Sequence, residues 1–156
     1  VDEYSGEIHI SLGMTTRSEE ESLVDFVSKS GRGADVVLYS CTSAYPVEDQ
    51  DVCLLEISRL REAYGAIVKE IGFSGHHLGI AMDSAATALG AEWIERHFTL
   101  NRAWRGTDHA ASLEPEAMRQ TTIDARSVSR AMRYKDEGLL DVELPQRAKL
   151  KALDGA

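Results

Sequence analysis

A short apolar run followed by an amphipathic segment occurs four times between Glu7 and Tyr134. This alternation confines the chain to an α/β architecture built on a parallel sheet. The apolar runs are Glu7–Leu12, Ala34–Tyr39, Ile67–Phe73 and Trp93–Phe98. The second carries adjacent β-branched residues, Val36 and Val37, as a strand covered on both faces does. Helices are predicted from Ser18, around Val52–Tyr64, over Ile80–Leu89, and from Pro115 to about Tyr134. Ser18-Glu19-Glu20-Glu21 has capping-box spacing, and Leu23, Val24 and Val27 form an apolar stripe behind it. Gly31, Gly33 and Gly90 stop helices, and Pro115 sits where a first helical residue tolerates a missing N–H. Right-handed βα units in series make either a small open sheet or one half of an eight-stranded barrel. Either way chemistry belongs at the carboxyl ends of the strands.

Those ends are where the chain carries its reactive side chains. Ser11 and Thr15 follow the first run, and Thr42, Ser43 and Tyr45 the second. Ser74, His76 and His77 follow the third, and His97 and Asp108 the fourth. His76 and His97 are the most informative pair, because each closes an apolar run one repeat apart. Neighbouring strands lie roughly 4.8 Å apart, so the two imidazoles should converge. Two neutral imidazoles with open positions around them suit a divalent ion that polarises a substrate. The hydroxyl-bearing segments could hold phosphate or carboxylate oxygens, although turn chemistry and helix capping use the same residues. Asp83, on a predicted helix, and Glu95, inside a predicted strand, read as structural charge partners.

Composition narrows the partners. A formal net charge of −9 argues against a nucleic-acid backbone or an anionic membrane surface. No apolar run reaches bilayer length, no signal-peptide pattern opens the chain, and no GxGxxG or Walker pattern is present. Cys41 and Cys53 have neither CxxC spacing nor a disulfide framework, as in a reducing cytoplasm, the expected location. At 156 residues one core is the expectation: residues 1–134 as the βα portion, and a tail, 135–156, laid over it as an extended cover. The first residue is Val, as in a chain cut from something longer. Strand-end cations are scarce, namely Arg17 after the first run and Arg102 and Arg105 after the last.

Five segments together resemble the carboxyl-terminal half of the sialic acid (N-acetylneuraminate) synthase family. They are Ser11-Leu12-Gly13-Met14, Cys41-Thr42-Ser43-Ala44-Tyr45-Pro46, Gly72-Phe73-Ser74-Gly75-His76, Glu95-Arg96-His97-Phe98-Thr99, and Gly106-Thr107-Asp108-His109-Ala110-Ala111-Ser112-Leu113-Glu114-Pro115. The resemblance implies the last four units of a TIM-type (β/α)8 barrel. It also implies condensation of phosphoenolpyruvate with N-acetylmannosamine or a related N-acetylated amino sugar, with release of phosphate. By the same resemblance His76 and His97 are ligands of a divalent metal, manganese or alternatively magnesium. Ser11, Ser43 and Ser74 contact phosphoenolpyruvate, and Tyr45 and Asp108 contact the sugar. The family often carries Asp where Gly75 stands and Asn where Ser43 stands. No residue of this chain is nominated as a catalytic base. The lysines and the acidic residue of the family's first barrel half are not among these residues. That missing half is therefore an expected partner, and a homo-oligomer the expected assembly. The rival expectation is a non-catalytic half-barrel that binds a metal or small anion.

Overall fold

The computed structural model describes residues 4–151. Strands β1 (Ile8–Ser11), β2 (Val36–Cys41), β3 (Glu70–Gly75) and β4 (Trp93–Arg96) form one sheet in chain order, every pair parallel. Helices α1 (Arg17–Lys29), α2 (Leu55–Tyr64) and α3 (Ala81–Ala88) return the chain between strands. Helix α4 (Pro115–Ala131) follows β4 after a long loop and packs beside α3. The four predicted units are all present.

Alternation along the strands divides the sheet into two chemically distinct faces. Val36, Leu38, Ile71 and Phe73 point toward the helices and bury against Val24 and Val27 of α1, Ile57 and Leu60 of α2, and Ala86 of α3. The opposite face carries His9, Ser11, Val37, Tyr39, Cys41, Gly72, Ser74, Trp93 and Glu95. Register lines these up across the sheet: Ser11 beside Tyr39, Cys41 beside Ser74, and Ser74 beside Glu95. The main apolar cluster thus lies on the helix side, and the other face, apart from the buried Val37 and Tyr39, carries the polar side chains.

Element ends differ from the sequence expectation for local reasons. The first helix is capped by Thr16, not Ser18: the Thr16 Oγ1 accepts from the Glu19 N–H at 3.3 Å, and the Glu19 carboxylate accepts from the Thr16 N–H at 2.7 Å. The third strand starts three residues late, because the Ile67 and Val68 amides bond back to the Tyr64 carbonyl at 2.8 and 3.0 Å and close α2. Ala34 and Asp35 belong to a 3-10 turn, Gly33–Asp35, and the strand they were expected to open runs on to Cys41. The tail is not an extended cover. It forms a 3-10 turn, Asp141–Glu143, and a short helix α5 (Leu144–Leu150), with Leu139, Val142, Leu144 and Leu150 all exposed. Its last residues, 152–156, lie outside the described residues.

One glycine is fixed by the polar face. The Tyr39 ring lies flat over Gly72, and a Cβ there would sit 2.6 Å from Tyr39 Cε1 and 2.7 Å from Cδ1. Tyr39 cannot easily yield, because its hydroxyl is hydrogen-bonded to His9 Nδ1 at 2.7 Å. Burial, with the nearby carboxylates of Glu95, Glu7 and Glu70, pushes the phenol up to about 12, so it stays protonated. Gly72→Ala should therefore destabilise the fold by about 1–3 kcal/mol, the usual range for overpacking a buried site. Urea unfolding of the two proteins measures this; equal midpoints would mean that the ring moves freely.

Candidate functional site

The chain leaves β3 at Gly75 and β4 at Arg96, so His76 and His97 are the first residues past adjacent strand ends. His76 is buried, and its Nδ1 lies 2.9 Å from the Thr42 carbonyl oxygen. A carbonyl can only accept, so Nδ1 carries the proton and the Nε2 lone pair is left to face outward. The His76 and His97 rings meet nearly edge to face with centroids 5.0 Å apart, and the Tyr45 ring lies 4.3 Å from the first and 5.5 Å from the second. His97 Nδ1 is 3.6 Å from an Asp108 carboxylate oxygen. Asp108, Thr107, His109 and His97 line a cleft of about 360 Å³.

Glu95 joins this group, contrary to the expectation of a structural charge partner. One ligand atom from each of His76, Glu95 and His97 lies within 4.8 Å of the other two. Glu95 is exposed on the polar face, two residues before His97. That spacing was the available signal, since strand positions i and i+2 share a face. Two imidazoles and a carboxylate with open positions around them are a donor set for a first-row divalent ion. Ligands on opposite sides of one such ion are about 4.2 Å apart, so this span closes with small side-chain rotations. The residues fit a metal.

The other nominated residues fall around the group. Ser11 ends β1, Ser74 lies buried in β3 beside Glu95, and Ser43 follows β2 with its Oγ 4.0 Å from Cys41 Sγ. Gly13 packs directly on the Ser43 hydroxyl, so the loops after β1 and β2 touch. Thr15 and Thr42 close their own loops instead, donating to the carbonyls of Leu12 and Asp51 at 2.7 and 2.8 Å. Of the rim cations, Arg17 is paired with Glu20 and Glu56, and Arg102 donates to the Ala110 carbonyl.

His77 points the other way. Its side chain is wholly buried on the helix face, with Nε2 accepting from Arg96 Nη1 at 2.9 Å. Burial, with the Arg96 charge and His76, pulls its pKa down to about 4, so it is neutral. Asp83 is a charge partner, as expected from sequence, and Arg96 Nη1 reaches it at 2.6 Å. Burial pushes that carboxyl up to about 6 against the pull of the guanidinium, which leaves an ionic pair at neutral pH.

The NeuB family profile matches residues 1–137. The chain belongs to the NeuB family. Among named relatives it is 44% identical over 110 residues to the N-acetylneuraminate-9-phosphate synthase of Homo sapiens, covering 70% of this chain and 30% of that protein. It is 36% identical over 126 residues to the N,N'-diacetyllegionaminic acid synthase of Campylobacter jejuni, covering 80% of this chain and 37% of that one. The crystal structure of the N-acetylneuraminic acid synthetase from Leptospira borgpetersenii, in complex with citrate, superposes with a TM-score of 0.78 at 27% identity. That match covers 94% of this chain and 50% of the other. The NeuB chain described here thus spans about a third of the length of these relatives and half of the solved one. Its four-stranded parallel sheet is the part shared with that synthetase. Among the described residues no helix is long and apolar enough to cross a membrane.

Proposed function

We propose that this chain is the carboxyl-terminal half of a (β/α)8 barrel in a phosphoenolpyruvate-dependent synthase that makes a sialic-acid-type sugar. The acceptor is N-acetylmannosamine or a related N-acetylated amino sugar. The observation that carries this is the convergence of His76, Glu95 and His97 at adjacent strand ends, with Tyr45 and Asp108 flanking them. When bound, a divalent ion, manganese in this proposal, supplies Lewis-acid polarisation of the sugar aldehyde.

The chain's own residues do the rest. His76, locked by the Thr42 carbonyl, presents one lone pair without a search through tautomers. Glu95 adds negative charge to the donor set, and Ser11, Ser43 and Ser74 offer hydroxyls to the carboxylate and phosphate of phosphoenolpyruvate. Tyr45 gives the sugar a flat apolar wall, and Asp108 accepts hydrogen bonds from its hydroxyls. The phosphate charge is neutralised mainly from the other half of the barrel, since Arg17 and Arg102 are already engaged and Arg105 supplies a single charge.

The test is phosphate release by the polypeptide carrying both barrel halves. Release should require phosphoenolpyruvate, the amino sugar and Mn2+ together, and release without the sugar would overturn the proposal. Asp108→Asn should raise KM for the amino sugar about 10- to 100-fold, the worth of a charge-assisted hydrogen bond. Its KM for phosphoenolpyruvate and its Mn2+ requirement should hold. A defect selective for phosphoenolpyruvate would place Asp108 at the wrong substrate.

A further inference from the structure

Behind the polar rim, on the helix side of the sheet, one guanidinium ties four segments together. Arg96 Nη1 donates to His77 Nε2, Gly79 O and Asp83 Oδ2 at 2.9, 3.0 and 2.6 Å. Its Nη2 donates to His77 O at 2.8 Å and to Ala111 O at 3.4 Å. Arg96 thereby joins β4 to the turn after His76, to α3, and to the loop that carries Asp108. The Arg96, Asp83 and His77 side chains are each at most 1% exposed. The chain neighbours of Arg96 are Glu95 and His97, which strand alternation sends to the opposite face.

Two further features mark this cluster as built for placement. Gly75, the register partner of Arg96, admits it: a Cβ at Gly75 would lie 2.8 Å from Phe73 Cε1, 3.0 Å from His77 Cε1 and 3.1 Å from Arg96 Cδ. Arg96 Nε, His77 Nδ1 and Asp83 Oδ1 have no hydrogen-bond partner among the described residues. A buried ion pair left partly unsatisfied is a poor source of stability and a good means of fixing geometry.

We propose that Arg96, anchored by Asp83 and His77, is a positioning residue that holds the His76 turn, the Glu95–His97 strand end and the Asp108 loop at the spacing a divalent ion needs. The proposal rests on the metal role assigned to His76 and His97 above. Outer groups that orient metal ligands typically change affinity 10- to 100-fold when altered.

The experiment is Mn2+ titration of the 156-residue chain, followed by the electron paramagnetic resonance of free Mn2+. Arg96→Lys keeps the charge and loses the fork, and should raise the Kd about 10- to 100-fold. Asp83→Asn, which removes the anchor while keeping its shape, should move Kd the same way by less, and serves if the first variant does not fold. Val27→Ala, in the core near the carboxyl end of α1, should lower thermal stability and leave Kd unchanged. Unchanged affinity in the folded Arg96 or Asp83 variant overturns the positioning role, as does equal weakening by Val27→Ala. If instead the parent chain takes up no Mn2+, or His97→Ala binds as the parent does, the metal assignment itself falls and the positioning role falls with it.

Discussion

His97→Ala, made in the polypeptide that carries both barrel halves, should lower Mn2+-dependent phosphate release by about a thousandfold. A metal's Lewis acidity is worth several kcal/mol, and each 1.36 kcal/mol is a factor of ten. Three donors converge here, two imidazoles and a carboxylate, with one ligand atom of each within 4.8 Å of the others. Removing His97 leaves one imidazole and one exposed carboxylate, too few to hold a labile ion at micromolar concentration. Glu95→Gln should cost less, because the amide keeps an oxygen donor and loses only its charge. Metal content of the purified variants separates the causes. A His97→Ala protein that retains both metal and turnover would remove the imidazole pair from the site. Loss of turnover with metal retained would move His97 from ligand to substrate contact.

The strands were legible because each is a compact apolar run, and the parallel order because every run is followed by a helix-length amphipathic segment. Their ends were not, since backbone bonds such as those of Ile67 and Val68 to the Tyr64 carbonyl are decided by the chain's return from α2. His76 and His97 could be paired from sequence because strand-end placement is a property of the repeat. Glu95 was read as a structural charge partner; the fold gives it no ion pair among the described residues and sets its carboxylate beside the two imidazoles, a placement that its spacing of two from His97 hinted at. Of the Arg96 cluster only the role of Asp83 as a charge partner was legible in the sequence. The partners of Arg96 are drawn from α3, the turn after His76 and the loop after β4, and nothing in the local pattern of Glu95-Arg96-His97 specifies them. Gly75 stands where the family often carries Asp, so no carboxylate at that position supports His76. In the fold that support comes from the Thr42 carbonyl, and the space a side chain at 75 would take is filled by His77, Phe73 and Arg96.

The 156-residue chain by itself should not catalyse the condensation, and should not remain a monomer. β1 and β4 are the outer strands of the sheet, each paired on one side only among the described residues. Unpaired backbone donors and acceptors along a strand recruit another strand. The β4 side is the more exposed. A space of about 490 Å³ lies between β4 and α4, where Ile94, Met118, Thr121 and Ala125 line it together with the charged Glu92, Glu95 and Arg126, and the buried Thr121 hydroxyl has no hydrogen-bond partner among the described residues. Trp93, Phe98 and Ile123 stand exposed nearby. A further parallel strand seated against β4 beneath α4 would fill that space, pair that edge and cover those side chains. In the proposed closed barrel the other half would supply it; for this chain alone the surface is open to a second copy. On that reading the rim is also short of charge: Arg17 is paired with Glu20 and Glu56, Arg102 is held by the Ala110 carbonyl, and Arg105 alone cannot neutralise phosphoenolpyruvate. Sedimentation of the purified chain should therefore give a mass above that of the monomer. Assays with phosphoenolpyruvate, N-acetylmannosamine and Mn2+ should show no phosphate release, and joining the chain to an N-terminal half from a NeuB relative should restore both turnover and a defined assembly. Turnover by a homogeneous monomer of this length would overthrow the half-barrel assignment and the claim that part of the site lies elsewhere.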